Sequence, residues 1–135
     1  MIFIDTGPFL ARHVQRDAHH EQAVAGWRRL AAERTRCATS NFVLDEAFTL
    51  LARRAGYPFA AERARRVLSS PSLIILRPGP EDEAGAVEFF EKYADQEVSF
   101  TDCISFVLMR RHRIKRVFGF DRHFQRAGFD LWPEA

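Results

Sequence analysis

The sequence predicts an α/β protein with a central, mainly parallel sheet and helices on both faces. Three observations carry this reading. Short apolar, partly β-branched runs recur at Met1–Ile4, Ser72–Leu76 and Val117–Phe120. Between them lie stretches whose apolar residues repeat at helical spacing, bounded by capping residues, glycines and prolines. Strands alternating with helices make βαβ units, and such units build a parallel sheet covered on both sides.

Each element has its own local signal. Met1-Ile2-Phe3-Ile4 reads as a buried strand that stops at Asp5-Thr6-Gly7-Pro8, and Phe9 to Val14 follows as a short helix. Asp17 is placed to cap a longer helix carrying Ala23, Trp27, Leu30 and Ala31 on one stripe. Cys37-Ala38-Thr39 is a short strand. Ser40 or Asn41 caps a helix running to about Arg54, which Gly56 ends as the residue past its last turn. Pro58 suits the first turn of the next helix, to about Ser69. Ser72 to Leu76 reads as a second buried strand. Pro80 with Glu81, Asp82 and Glu83 starts a helix, because acids there complement its dipole. Thr101 is expected to cap a helix holding Ile104, Val107 and Leu108. Val117 to Phe120 is a strand running into Asp121, a short helix stops at Gly128, and Phe129 to Trp132 forms an edge strand.

Composition bounds what such a fold can do. The chain has 135 residues, 47% hydrophobic and 28% charged, with Lys+Arg 20 against Asp+Glu 18 for a formal net charge of +2. A single domain spanning 1–135 is expected. The apolar fraction is too high for a disordered chain. No apolar stretch reaches the ~20 residues that cross a bilayer, so no membrane partner is expected. The N-terminus has neither the basic segment nor the apolar run of a secretory leader. Cys37 and Cys103 make neither a disulfide framework nor a metal knuckle, and the cytoplasm is the expected compartment. Phe contributes 13 residues, mostly on core stripes, and the only lysines are Lys92 and Lys115.

The acids carry the functional signal. Ligands of open α/β sheets bind outside the carboxyl ends of the strands. Asp5 directly follows the first strand, and Asp121 follows the Val117–Phe120 strand in the same way. Glu46 is four residues after Phe42, three after Val43 and four before Leu50, so it lies on the apolar stripe of its helix. Its neighbour Asp45 faces solvent with Asn41 and Thr49. A carboxylate on a buried stripe is costly unless a cation or hydrogen bonds satisfy it, and an arginine pair is the plain alternative. Asp102 sits in the first turn of the helix after Ser99, where dipole complementation alone would explain it. Together, Asp5, Glu46, Asp102 and Asp121 can converge on one pocket. Such a cluster stays folded only if it is partly protonated or binds cations, and hard oxygen ligands select Mg²⁺ or Mn²⁺ over Zn²⁺.

Three segments resemble the PIN-domain family: Ile4-Asp5-Thr6-Gly7-Pro8, Ser99-Phe100-Thr101-Asp102-Cys103-Ile104-Ser105 and Phe118-Gly119-Phe120-Asp121-Arg122-His123-Phe124. Glu46 falls where that family places its second acid. The resemblance spans essentially the whole chain, and its length is most like that of VapC-type toxins of type II toxin–antitoxin systems. It implies a three-layer α/β/α PIN-like fold and a metal-dependent ribonuclease. Asp5, Glu46, Asp102 and Asp121 become the implied catalytic ligands of Mg²⁺ or Mn²⁺, Asp121 acting most through water or a second ion. Thr6, Ser99 and Thr101 become hydroxyls that orient the carboxylates. The family further implies a homodimer and a cognate antitoxin protein that covers the acidic pocket.

Other residues take plainer roles. Arg122, beside Asp121, and Arg12 are the arginines selected for RNA-phosphate contact, although most arginines read as a solvated face. His13, His19 and His20 have no further ligand at zinc spacing. His112 and His123 read as surface or cap residues, His123 standing close to Asp121. Cys103 reads as a buried small hydrophobe. A haloacid-dehalogenase-type phosphatase would need an acid where Gly7 stands. A receiver-like domain would need one after the Ser72–Leu76 strand, where Arg77-Pro78 follows. The remaining alternative is a catalytically degenerate PIN domain serving as an RNA-binding or protein-interaction module.

Overall fold

The computed structural model describes residues 1–134. The strands are β1 (Ile2–Ile4), β2 (Cys37–Ser40), β3 (Leu73–Leu76), β4 (Arg116–Phe118) and β5 (Asp130–Trp132). The helices are α1 (Thr6–Ala11), α2 (His20–Ala32), α3 (Asn41–Ala55), α4 (Tyr57–Leu68), α5 (Pro80–Lys92), α6 (Phe100–Arg111) and α7 (His123–Arg126), with a 3₁₀ turn at Ala94–Gln96. All four strand pairings are parallel, in the order β3-β2-β1-β4-β5. The chain steps one way from β1 to β3 and the other way from β4 to β5. Right-handed crossovers therefore put α1–α4 on one face and α5–α7 on the other. This is the α/β/α layering expected from the sequence.

The central strands are buried on both faces, as parallel strands between helical layers must be. Phe3, Phe106, Phe118 and Phe124 are fully buried. Phe106 meets Phe124 edge-on at 5.1 Å and Phe89 at 5.6 Å between centroids, so the phenylalanine excess is core material. Gly26 of α2 lies against the Phe118 ring, and a Cβ there would overlap that ring. Asp82 ties the start of α5 to the end of α6 through two Arg111 contacts of 2.9 Å, which makes those helices antiparallel.

Several local expectations shift. α1 begins at Thr6 and ends at Ala11, because Pro8 fits a first turn that opens directly after Asp5. Asp17 does not cap α2. Its Oδ1 accepts from the His19 N–H at 2.8 Å, bending the chain ahead of a helix whose first turn starts at His20. Ser40 caps α3 by accepting from the Val43 N–H at 3.1 Å. Ser99, not Thr101, caps α6, accepting from the Asp102 N–H at 3.0 Å. β3 is half-buried throughout, since it is a sheet edge and a cavity opens beside it. β4 ends at Phe118, so Gly119-Phe120 forms a turn before Asp121.

Candidate metal centre

The sheet reverses its winding between β1 and β4, and the carboxyl ends of these strands are where a parallel sheet presents a ligand crevice. Asp5 leaves β1 there, with its backbone N–H donating to the Phe118 carbonyl at 2.9 Å. This bond ties the two strand ends together. Gly119 makes room for the carboxylate: a Cβ on it would lie 3.1 Å from Asp5 Cβ and 3.4 Å from Asp5 Oδ2. α6 supplies Asp102 from its first turn, held by the Ser99 cap. α3 supplies Glu46, which is half-buried while Asp45 is exposed. Among the described residues no arginine pairs with Glu46, so the plain alternative for that carboxylate falls away.

All four acids come together. Burial pushes the Asp5 carboxyl well above its ordinary range, and the charges of Asp102, Glu46 and Asp121 push it further, against the Thr6 backbone N–H. Burial likewise raises Asp102 to about 6, reinforced by Asp121 and Glu46 and opposed by His123 and the Ser99 hydroxyl. Two carboxyls that resist ionisation, both facing further acids, form a pocket that lacks positive charge.

His123 is the residue whose role the sequence left too plain. It is half-buried, with Nδ1 3.0 Å from Asp121 Oδ1 and 3.6 Å from Asp102 Oδ2. The ring is not aligned for a hydrogen bond with either, and Nδ1 is without a partner. Asp121 Oδ1 also accepts the His123 backbone N–H at 2.9 Å, so this acid closes the turn into α7 as well as facing the pocket. Ligand atoms of Asp102, Asp121 and His123 lie within 4.8 Å of one another. The signal in the sequence was only the adjacency of His123 to Asp121; the approach to Asp102 is made by the fold.

The donor set fits a cation. Asp5 Oδ1 is buried and has no hydrogen-bond partner, and the Thr6 hydroxyl next to it is equally unpartnered. Buried acceptors of this kind are uncommon unless something outside the protein satisfies them. Ser99 acts on the backbone of Asp102 as its cap, and Thr101 uses its carbonyl to accept Ser105 Oγ at 3.0 Å. Arg122 is exposed beside Asp121. Arg12 is not at this site: it lines a cavity that reaches the opposite ends of β2 and β3. The histidines weighed against zinc are occupied elsewhere. His20 Nδ1 contacts the Ala11 carbonyl at 2.7 Å, and burial and Arg12 push His13 down to about 4. Cys103 is fully buried, and burial next to Asp102 raises its thiol to about 11, which leaves it no nucleophile.

Comparison with known proteins agrees with this geometry. The PIN domain family model matches residues 2–130. The 23S rRNA-specific endonuclease VapC20 of Mycobacterium tuberculosis, found in two strains, is 36% identical over 135 residues, covering 99% of this chain and 100% of the relative. The crystal structure of M. tuberculosis VapC20, described as a sarcin–ricin loop cleaving toxin, superposes with a TM-score of 0.84 at 35% identity over 96% of each chain. Full-length identity at this level, on the same fold, is common descent: the chain belongs to the PIN-domain family.

Proposed function

We propose that the protein is an endoribonuclease that hydrolyses RNA phosphodiester bonds with Mg²⁺ or Mn²⁺ held by Asp5, Glu46, Asp102 and Asp121. The observation that carries this reading is the convergence of four carboxylates at the switch point of the sheet, with the buried Asp5 Oδ1 left unpartnered. Membership of the PIN-domain family supports the reaction class. A relative named for 23S rRNA cleavage supports that RNA, and its sarcin–ricin loop, as the substrate. The same relationship supports the toxin role in a type II toxin–antitoxin pair, acting in the cytoplasm as a homodimer restrained by a cognate antitoxin. No helix of the described residues is long and apolar enough to cross a membrane.

When bound, the metal supplies an activated water and neutralises charge on the phosphate. The chain's own residues do the rest. Asp5 and Asp102 form the buried wall of the pocket, and their raised pKa values mean that arriving positive charge favours their ionised forms. Ser99 fixes the turn that carries Asp102. His123 stands between Asp102 and Asp121, and its backbone N–H, donated to Asp121 Oδ1, holds the second acid at the pocket mouth. Arg122 is exposed next to Asp121, positioned to take an RNA phosphate. The unpartnered Thr6 hydroxyl is available to orient the Asp5 carboxylate.

A direct test incubates purified protein with a sarcin–ricin stem-loop and with an unrelated single-stranded RNA. Cleavage of the stem-loop with Mg²⁺ or Mn²⁺, and none with EDTA, is the expected outcome. Cleavage that persists under chelation overturns the metal reading, and wild-type cleavage by Asp102→Asn overturns the site.

A further inference from the structure

The most strongly charged feature outside the acidic site is a cavity of about 640 Å³ between α2, α4 and the starts of β2 and β3. Arg12, Arg34, Arg36, Arg63 and Arg66 line it, and no acid does. Five arginines in one lining are notable in a chain whose net charge is +2. Of these, only Arg66 has a carboxylate partner among the described residues, the exposed Glu62 at 3.2 Å. Arg63 Nε is buried and makes no hydrogen bond. Arg12 lies over the Trp27 ring at 4.3 Å, and its Nε donates to His13 Nε2 at 3.0 Å. Burial and the charge of Arg63 lower Arg12 to about 10, so these guanidiniums crowd one another with nothing to neutralise them.

We propose that this cavity binds the phosphate of a nucleotide, the arginines taking the phosphate and the apolar wall of Trp27, Leu30 and Leu73 taking the base. Several guanidinium groups lining one cavity suit a compact dianion better than a single carboxylate, because the three terminal phosphate oxygens can be shared among more than one fork. The hydroxyls of Ser70 and Ser72 at the rim add neutral donors of the kind that complete a phosphate shell. The volume falls in the ~300–1,000 Å³ range of small-ligand sites. The nucleotide is either free, with a dianionic phosphate, or the phosphorylated end of an RNA chain, since both present a base beside a terminal phosphate. The inference does not depend on the acidic site being a nuclease, because the cavity opens at the other ends of the strands.

Binding is read from Trp27 fluorescence in EDTA, where the metal-free acidic pocket repels anions. The probes are guanosine 5′-monophosphate, an end-phosphorylated 2′-O-methyl RNA oligonucleotide, sulfate and oligoglutamate, in a Trp132→Phe background that leaves Trp27 as the one emitting tryptophan. Saturable binding of the mononucleotide is expected, weakening as salt rises. It should fall at least tenfold in Arg36→Gln/Arg63→Gln and in the exposed pair Arg34→Gln/Arg36→Gln, which keeps the test valid if Arg63 proves needed for folding. Asp5→Asn should bind like the wild type. Tighter binding of the oligonucleotide identifies the RNA chain as the source, and tighter binding of the mononucleotide identifies the free nucleotide. Absence of saturable binding, an unchanged affinity in both double variants, or sulfate or oligoglutamate binding as tightly as the nucleotide would each overturn the proposal. Because no cleavage is measured, failure here is distinct from failure of the nuclease reading.

Discussion

At the scale of single residues, the site stores unfavourable energy in its acids. Asp102 sits near 6, while an unfolded aspartate titrates near ~3.9. Between these values the folded protein binds more protons than the unfolded one, so metal-free stability falls as pH rises from about 4 to about 6 and then levels off for this group. Asp5 acts in the same direction. The Asp102 shift corresponds to roughly 3 kcal/mol. Asp102→Asn is therefore expected to remove the Asp102 share of that slope, leaving that of Asp5, and to raise the metal-free melting temperature at pH 7.5 while abolishing RNA cleavage. Thermal unfolding at pH 4.5 and 7.5 checks it, and a variant less stable than wild type at pH 7.5 would refute the stored repulsion. Gly119→Ala tests the same pocket sterically. Its Cβ would stand 3.1 Å from Asp5 Cβ, so the carboxylate must shift by a few tenths of an ångström. A loss of at least tenfold in kcat, with a melting temperature within a few degrees of wild type, is expected, because displacements of this size in a positioned group are costly to rate. Asp5 and Asp102 were legible in the sequence because each borders a strand end or a cap. The approach of Gly119 to Asp5 and of His123 to Asp102 was not, because these partners are far apart in the chain and only the fold brings them near.

At the scale of elements, helix starts do the positioning. Ser99 caps α6 and so sets the turn that holds Asp102. Ser99→Ala should cost about 1 kcal/mol of stability and reduce cleavage several-fold by loosening that turn, with Ser99→Thr restoring both. Asp82 does comparable work far from the pocket: it accepts the Gly79 N–H at 3.0 Å and holds Arg111 with two bonds. Asp82→Ala loses a cap and a half-exposed ion pair, about 2 kcal/mol in all, and is expected to lower the denaturation midpoint in urea while leaving kcat within twofold of wild type. The element order was readable because hydrophobic period and turn chemistry agree along the chain. Individual caps were less so. Ser99 and Thr101 are chemically alike and two residues apart, and only backbone conformation decides between them; Ser99 is extended, whereas Thr101 is already helical. β3 was read as buried from its composition, Leu-Ile-Ile-Leu, but composition does not reveal that a strand is the last in its sheet.

At the scale of the whole molecule, a net charge of +2 hides two opposed charge clusters. The acids gather where β1 and β4 end, and arginines, all but Arg66 without a carboxylate partner among the described residues, gather where β2 and β3 begin. The near-cancellation of the totals is what made composition uninformative about partners; the separation arises only when the fold brings the starts of α3 and α6 to the carboxyl ends of the strands and the later part of α4 to their opposite ends. The proposed cation site would couple folding to cation binding. A cation that binds only the folded acidic pocket stabilises it by RT ln(1 + [M]/Kd), about 2.7 kcal/mol at a hundredfold excess over Kd. Mn²⁺ or Mg²⁺ should therefore raise the wild-type melting temperature by several degrees, with a dependence on metal concentration that EDTA reverses. Asp5→Asn should begin at a higher metal-free melting temperature, since one repelling charge is gone, and then gain little from added metal. The two curves are expected to converge or cross as metal is titrated. Parallel rises in both proteins would place the cation elsewhere, and a wild-type melting temperature indifferent to either metal at millimolar concentration would remove the cation from the fold's energetics altogether.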